Sequence, residues 1–311
     1  MNPAVTIVIV NFNTAEATAA CVDSVLAEGM DAEVVVVDNG SRDGSVELLR
    51  SRFPDVEVVD TGENLGFAAG VNRGAAAGSG ERILLLNPDT IVHAGSLDAL
   101  LGFADAHPAY RVYGGRTLRP DGELDPSSCW GEPTLWSLVC FATGLTTLFH
   151  RSALFDPESL GRWQRDTVRE VPVVTGCLLL ISRDDWELLG GMDERFFLYG
   201  EDADFSRRAR MAGMRPVIVP DAVIVHEVGG STASSGRKMC LVMAGKATDA
   251  RLRWSPGRAR LALALLAGGA GLRALLGKDT WREVWRRRAD WEPGYPAARA
   301  ALFSAERSVG V

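Results

Sequence analysis

The chain has 311 residues, 47% hydrophobic and 23% charged, with 33 Gly and 14 Pro. This is ordinary globular composition, enough for one large domain or one domain with an appendage. Its five cysteines (Cys21, Cys129, Cys140, Cys177 and Cys240) form no CxxC unit and no Cys/His cluster of zinc spacing, which excludes a zinc-cluster module and points to reduced, buried thiols in a cytosolic setting.

Val5–Val10 reads as a buried strand ending at Asn11-Phe-Asn-Thr14, and Thr14 is placed to cap a helix to about Glu28. No charged n-region or cleavage site precedes this strand, so no signal peptide is expected. Glu33–Val37 is the next strand, broken by Asp38-Asn-Gly-Ser41. Asp43 or Ser41 caps a helix to about Arg52, and Val56–Val59 is a third strand. Asn64–Gly74 is a Gly-rich loop entering a Gly/Ala-rich helix. Ile83–Leu86 is a short apolar run that stops at Asn87-Pro88-Asp89. Pro88 cannot continue a central strand, so Asp89 falls just past a strand's carboxyl end, where open α/β sheets bind ligands. Strands and helices alternating at this spacing over the first 105 residues predict βαβ units and a parallel sheet.

Ser96–Ala106 reads as a helix and Val112–Leu118 as a strand, while 119–165 carries no assignable period. Val171–Ser182 is one β-like run, and Asp184–Leu189 is a short helix ended by Gly190-Gly191. Glu201-Asp202 opens a helix to Ala212, behind the aromatic stretch Phe196–Gly200. Val217–Val219 and Ala222–Val225 are two short strands, the second ending at His226. From Arg237 on the pattern is helical, with an apolar run Leu261–Leu272 flanked by arginines, then Trp281, Trp285 and Trp291 beside Arg282 and Arg286–Arg288. No stretch reaches the roughly eighteen uncharged apolar residues of a spanning helix. The net charge of −7 is uneven: residues 251–290 hold ten Arg/Lys against three acids, which points to an anionic contact for that end.

Asp38, Asp89 and His226 sit at strand ends or turns, and Asp202 opens a helix. Each has a plain structural reading: an Asn-Gly turn for 38–41, dipole complementation for Glu201-Asp202, a packed histidine for His226. Together, a carboxylate and an imidazole suit a divalent ion that also takes diphosphate oxygens. The 64–74 loop is not GxGxxG and no GKS/T is present, so a Rossmann or P-loop route is unsupported.

The ordered set resembles glycosyltransferase family 2, the inverting, nucleotide-sugar-dependent enzymes of GT-A fold, and within it the bacterial rhamnosyltransferases. The residues that carry the resemblance are Val8–Asn13, Val36–Ser45, Glu63–Gly74, Leu86–Asp89, Gly176–Ile181, Gly191–Phe197, Gly200–Phe205 and His226. They cover roughly residues 5–232.

The resemblance implies an α/β fold with a mixed, mostly parallel central sheet flanked by helices, and a helical C-terminal extension. It implies a catalytic domain over 1–236, with a nucleotide-binding half to 105 and an acceptor-binding half from 106, and a basic extension over 237–311. Asp38 would accept from a pyrimidine base, with Asn11 and Asn13 beside it. Asn64, Gly66, Asn72 and Arg73 would flank base, ribose and phosphate. Asn87-Pro88-Asp89 stands where the wider group has Asp-x-Asp, so Asp89, with Asn87 beside it and His226 as partner, would hold a divalent metal, Mg2+ or Mn2+. Asp202 would be the general base; Glu201 and Tyr199 would lie on the acceptor side. Asp204, about 200° round the helix from Asp202, is expected to pair with Arg207 or Arg208.

The donor implied is deoxythymidine-diphosphate L-rhamnose and the acceptor a lipid-linked or cell-surface glycan precursor; no nucleic acid is expected. The alternatives are the same chemistry on a soluble natural product, or a non-catalytic sugar-nucleotide or carbohydrate-binding protein. The basic stretch 251–290 either lies on an anionic membrane or packs on the protein, as a homo-oligomer contact or within the chain. A cytoplasmic location is expected, and in the first of these cases a peripheral one on the inner face of the cell membrane.

Overall fold

A computed structural model describes residues 3–226 and 235–303. The chain forms two compact units, neither continuous in sequence. One comprises Met1–Trp130, Trp163–Asp193 and Asp202–Ser231; the other comprises Gly131–Arg162, Glu194–Glu201 and Thr232–Val311. The expected split at 236/237 is sequential, whereas 131–162 packs with the C-terminal helices. The reason lies in its apolar residues, such as Leu138, which bury among those helices.

The first unit is built on β1 (Val5–Asn11), β2 (Ala32–Asp38), β3 (Glu57–Asp60) and β4 (Arg82–Leu86), parallel in the order β3-β2-β1-β4. All seven residues of β1 are buried, as expected of a strand covered on both faces. The sheet continues as β10 (Leu178–Ser182), β6 (Val112–Leu118), β11 (Val217–His226) and β5 (Thr90–Val92). β10 runs antiparallel to β4 and β6, and β6 and β11 are parallel. β8 (Arg169–Glu170) adds to β11. The helices of this unit are α1 (Ala15–Leu26), α2 (Ser45–Arg52), α3 (Phe67–Ala77), α4 (Ser96–Ala106), α7 (Arg183–Leu189) and most of α8 (Glu201–Met211). α3 is Gly/Ala-rich because it lies close on β1: a Cβ at Gly74 would come within 2.4 Å of Val8 Cγ1, and one at Gly70 within 2.8 Å of Val10 Cγ1.

Several local expectations are corrected. Val171–Ser182 is not one strand but β9 (Val173–Val174) and β10, and β9 pairs instead with β7 (Cys129–Trp130). The break at Thr175-Gly176-Cys177 arises because the Thr175 N–H bonds Ser128 O and the Gly176 N–H bonds Asp202. Conversely, β11 is one strand where two are expected; a register shift between Ile218 and Val223 absorbs Pro220 and Asp221. Thr14 is the N-cap of α1, yet its hydroxyl donates to Asn11 Oδ1 and does not cap. Asp43, not Ser41, accepts at the start of α2, from the Ser45 N–H.

The second unit is helical: α5 (Leu135–Ala142), α6 (Leu145–Leu148), α9 (Ser235–Arg253), α10 (Pro256–Leu275), α11 (Asp279–Arg286), α12 (Arg288–Trp291) and α13 (Ala297–Phe303). Ala262, Leu263, Leu266 and Ala270 of α10 enter one core with Leu138, Ala244 and Trp291. Gly269 lets α10 approach α5, since a Cβ there would lie 2.4 Å from the Phe141 ring. Among the described residues no helix is long and apolar enough to cross a membrane. All five cysteines are free and buried.

Candidate active site

Parallel register puts Asn11 directly opposite Asp38 at the carboxyl ends of β1 and β2. Both are fully buried. The Asn11 amide donates to Asp38 Oδ2 at 2.6 Å and to Ser41 Oγ at 3.1 Å. Its carbonyl accepts from the Thr14 and Thr18 hydroxyls. Ser41 N–H donates to Asp38 Oδ1 at 2.8 Å. Asn11 therefore positions Asp38, and its own hydrogen-bonding groups are already engaged in the protein. Asn13 is exposed, with φ 56, a region Asn tolerates better than most residues. Its side chain accepts from Arg42 N–H and its backbone donates to Ser41, so it pins the 38–43 turn.

The second loop is tied to the first by a residue that the sequence reading passed over. Asn39 donates to Gly66 O at 2.9 Å. Gly66, at φ 93, needs the freedom of glycine, and the Asn64 side chain accepts its N–H. Arg73 is exposed, and no carboxylate pairs with it among the described residues. Asn72 differs from expectation. Both ends of its amide bond the Met192 backbone, each at 2.9 Å, so it clips α3 to the 191–192 turn and does not present itself to a ligand.

The turn after β4 also divides its labour differently. Asn87 donates to Cys177 Sγ, which fastens the end of β4 to the start of β10, and its carbonyl accepts from Thr90 Oγ1 at 2.7 Å at the start of β5. Asp89 instead meets His226 Nε2 at 3.2 Å. His226 Nδ1 meets Asp125 Oδ2 at 3.0 Å. Burial disfavours the His226 cation, but the two carboxylates outweigh it and raise its pKa to about 9. Asp125 is the residue of this candidate site that sequence reasoning missed. Burial raises its pKa, and hydrogen bonds from His226 and Ser127 more than offset this and lower it. Asp125-Pro126 is a readable turn start, but its partner lies 101 residues away.

Asp202 sits in the first turn of α8 and accepts from Gly176 N–H at 3.1 Å. Burial pushes its carboxyl up to about 7, with the Gly176 bond opposing. The break before β10 thus connects the pieces. Gly176 holds Asp202, and Cys177 holds Asn87. The Thr175 hydroxyl donates to the Ser127 and Ser128 carbonyls beside Asp125. A ring closes through Thr175, the 125–128 turn, His226, Asp89, the chain back to Asn87, and Cys177, and Asp202 is attached to it through the Gly176 N–H.

Asp89 and His226 are the groups of this ring that fit a cation. Their near atoms are close enough to share one ion, and Asp125 fixes the tautomer of His226, as outer carboxylates do for metal-bound histidines. Two protein ligands suit Mg2+ or Mn2+ that also takes diphosphate oxygens. Among the described residues no group of three or more His/Cys/Asp/Glu forms a fuller cage.

Glu201, expected on the acceptor side, is buried at the start of α8. Tyr199 adopts φ 67, and its carbonyl lies where a Cβ on Gly245 of α9 would fall, 2.0 Å away. Asp204 is buried and accepts from both Arg207 and Arg208, at 2.6 and 2.7 Å, as its helical phase predicts.

Residues 6–156 match the family described as glycosyl transferase family 2, and residues 165–228 match the N-terminal domain of galactosyltransferase. The chain is 32% identical over 225 residues to the N-acetylglucosaminyl-diphospho-decaprenol L-rhamnosyltransferase of Mycobacterium tuberculosis, covering 67% of this chain and 70% of that protein. It is 28% identical over 184 residues to the low-salt glycan biosynthesis hexosyltransferase Agl10 of Haloferax volcanii, covering 58% and 53%. Among solved structures it resembles the mannosyltransferase PcManGT from Pyrobaculum calidifontis in complex with GDP-Man and Mn2+, with TM-score 0.55, 20% identity, and 99% of this chain and 87% of that one covered. It also resembles GalNAc-T7 with UDP, GalNAc and Mn2+, with TM-score 0.61, 15% identity, and 99% and 57% covered. At such identities the structural likenesses establish the fold.

Proposed function

This chain belongs to glycosyltransferase family 2 and has the GT-A fold, and from that premise we propose that it moves L-rhamnose from deoxythymidine-diphosphate L-rhamnose onto a hydroxyl of a lipid-linked glycan precursor, with inversion. The observation that carries the site assignment is the hydrogen-bonded ring through Asp89, His226 and Asp125, to which the Gly176 N–H attaches Asp202. The mycobacterial relative, whose substrate is a diphospho-decaprenol, supports the choice of sugar and acceptor class.

Asp202 takes the proton from the acceptor hydroxyl as its oxygen attacks the anomeric carbon and the bond to the diphosphate breaks. One displacement needs one base and inverts the centre. A base with pKa about 7 is half deprotonated at neutral pH and retains enough basicity to accept a proton. Asp38, held by Asn11, receives the pyrimidine base at the end of β2, and the exposed Arg73 offsets phosphate charge. Asp89 and His226 would hold a divalent cation, whose charge offsets that developing on the leaving diphosphate. Asp125 keeps His226 oriented for that task. The first 105 residues serve the nucleotide, and the rest of the unit that carries Asp202 serves the acceptor.

A donor-hydrolysis screen tests the reading. The protein with Mn2+ or Mg2+ is offered a panel of nucleotide sugars, and released nucleoside diphosphate is measured. Release from deoxythymidine-diphosphate rhamnose above the other donors supports the assignment. Preference for a uridine or guanosine donor would overturn the sugar while leaving the family intact.

A further inference from the structure

We infer that the outer face of α10 and α11 docks on an anionic lipid bilayer, seating an acyl chain between the two helices and a headgroup phosphate at Arg282 and Arg286. The groove between them is a cavity of about 870 Å³, walled by Leu272, Leu275 and Trp285 and floored by Gly268 and Gly271. Its floor is cut out of a helix. Gly269 and Gly271 are required by neighbours, the Phe141 ring and the Trp285 ring, which a Cβ would meet at 2.4 and 3.1 Å. Gly268 has no such reason, since a Cβ there would meet nothing within 4 Å. Glycine weakens a helix interior, and at 268 its missing side chain leaves the groove wider.

The rim has the composition of a membrane interface. Leu275 and Leu276 are 87% and 72% exposed at the end of α10, and Trp285 is 37% exposed beside them. Single exposed leucines are ordinary, but a contiguous set bordered by basic residues is not. Arg282 pairs with Asp279, itself almost fully exposed, and Arg286 has no carboxylate partner among the described residues. Arg288 lies over the Trp285 ring at 4.5 Å. Lys278, Arg282, Arg286 and Arg288, all exposed on or beside α11, give this face the charge that an anionic bilayer complements. An acidic protein surface would answer the arginines but leave the leucines against polar groups; a bilayer answers both. This inference does not depend on the donor or the acceptor.

The test uses the full chain and sedimentation with phosphatidylcholine vesicles, with and without phosphatidylglycerol. The wild type should bind only the anionic vesicles, and less in high salt. The pairs Leu275→Ser/Leu276→Ser and Arg282→Gln/Arg286→Gln should each weaken binding by about tenfold or more. Gly268→Leu, which fills the groove, should also weaken it. Thermal unfolding and donor hydrolysis should be unchanged in the surface pairs, so failure here leaves the transferase reading untouched. Absence of wild-type binding, equal binding to neutral vesicles, or variants that bind like wild type would overturn the inference. So would a dimer in light scattering that the leucine pair dissolves, because that would assign the face to a second copy.

Discussion

At the scale of single residues, Asp202 joins reactivity to instability. Its pKa is raised to about 7, so the rate should climb through about pH 7 as the base loses its proton. The stability sign follows from linkage. The folded chain keeps a proton that the unfolded chain releases near pH 4, so this group lowers stability progressively between about pH 4 and 7. Asp202→Asn should therefore lose about a hundredfold or more in turnover, retain donor binding, and melt higher than wild type at pH 8 but not below about pH 4. Calorimetry at the two pH values checks this, and an unchanged melt at pH 8 would count against burial as the cause. His226 has the opposite sign. Its stabilising pairing with Asp125 and Asp89 is complete below about pH 6.5 and is lost as pH rises through about 9. Asp125→Asn should lower the titration midpoint of His226 by NMR and weaken Mn2+-dependent nucleotide binding by about tenfold. Asp89→Ala should weaken both metal and diphosphate binding, read by titration calorimetry with and without chelator. Asp38, Asp89, Asp202 and His226 were legible in sequence because each ends or starts an element whose period is clear. Asp125 was not, because it lies where no period exists and its partner is remote.

At the scale of elements, two glycine positions carry the argument. Gly176 stands in the break before β10, with the Phe67 ring 2.8 Å and Asp202 Oδ1 3.4 Å from where a Cβ would be. Gly176→Ala must push Phe67 or Asp202 aside, so turnover should fall well before the thermal midpoint does; comparing kcat with Tm decides. Gly74 is of the other kind. Gly74→Val overpacks α3 against Val8 of β1 and should cost roughly 3 kcal/mol in denaturant unfolding. The two breakers in 171–182 and 217–226 show where period alone misleads. Thr175, Gly176 and Cys177 are compatible with a strand, yet their bonds lead to Ser128, Asp202 and Asn87. Pro220 looks like a strand end, yet a register shift carries β11 past it to His226.

At the scale of the whole chain, the parallel strands β3-β2-β1-β4 and their helices were set by local pattern, because buried strands and amphipathic helices each declare themselves within about ten residues. The same holds for the ends of these strands, since breakers such as Pro88 stop a strand wherever it lies. Three things were decided only by tertiary structure. The first is the membership of 131–162 in the helical unit, whose apolar residues have no period of their own and take their order from α9 and α10. The second is which residues of the 261–272 run face the core, Ala262, Leu263, Leu266 and Ala270, a choice that depends on what α9 and α5 present to them. The third is the ring to which Asp202 is attached, whose long-range bonds span separations up to 137 residues. Sequence determined which residue types stand at the ends of strands, because local sterics and burial period act within an element. Tertiary structure decided which of them face one another, because those contacts form only once distant elements share a sheet.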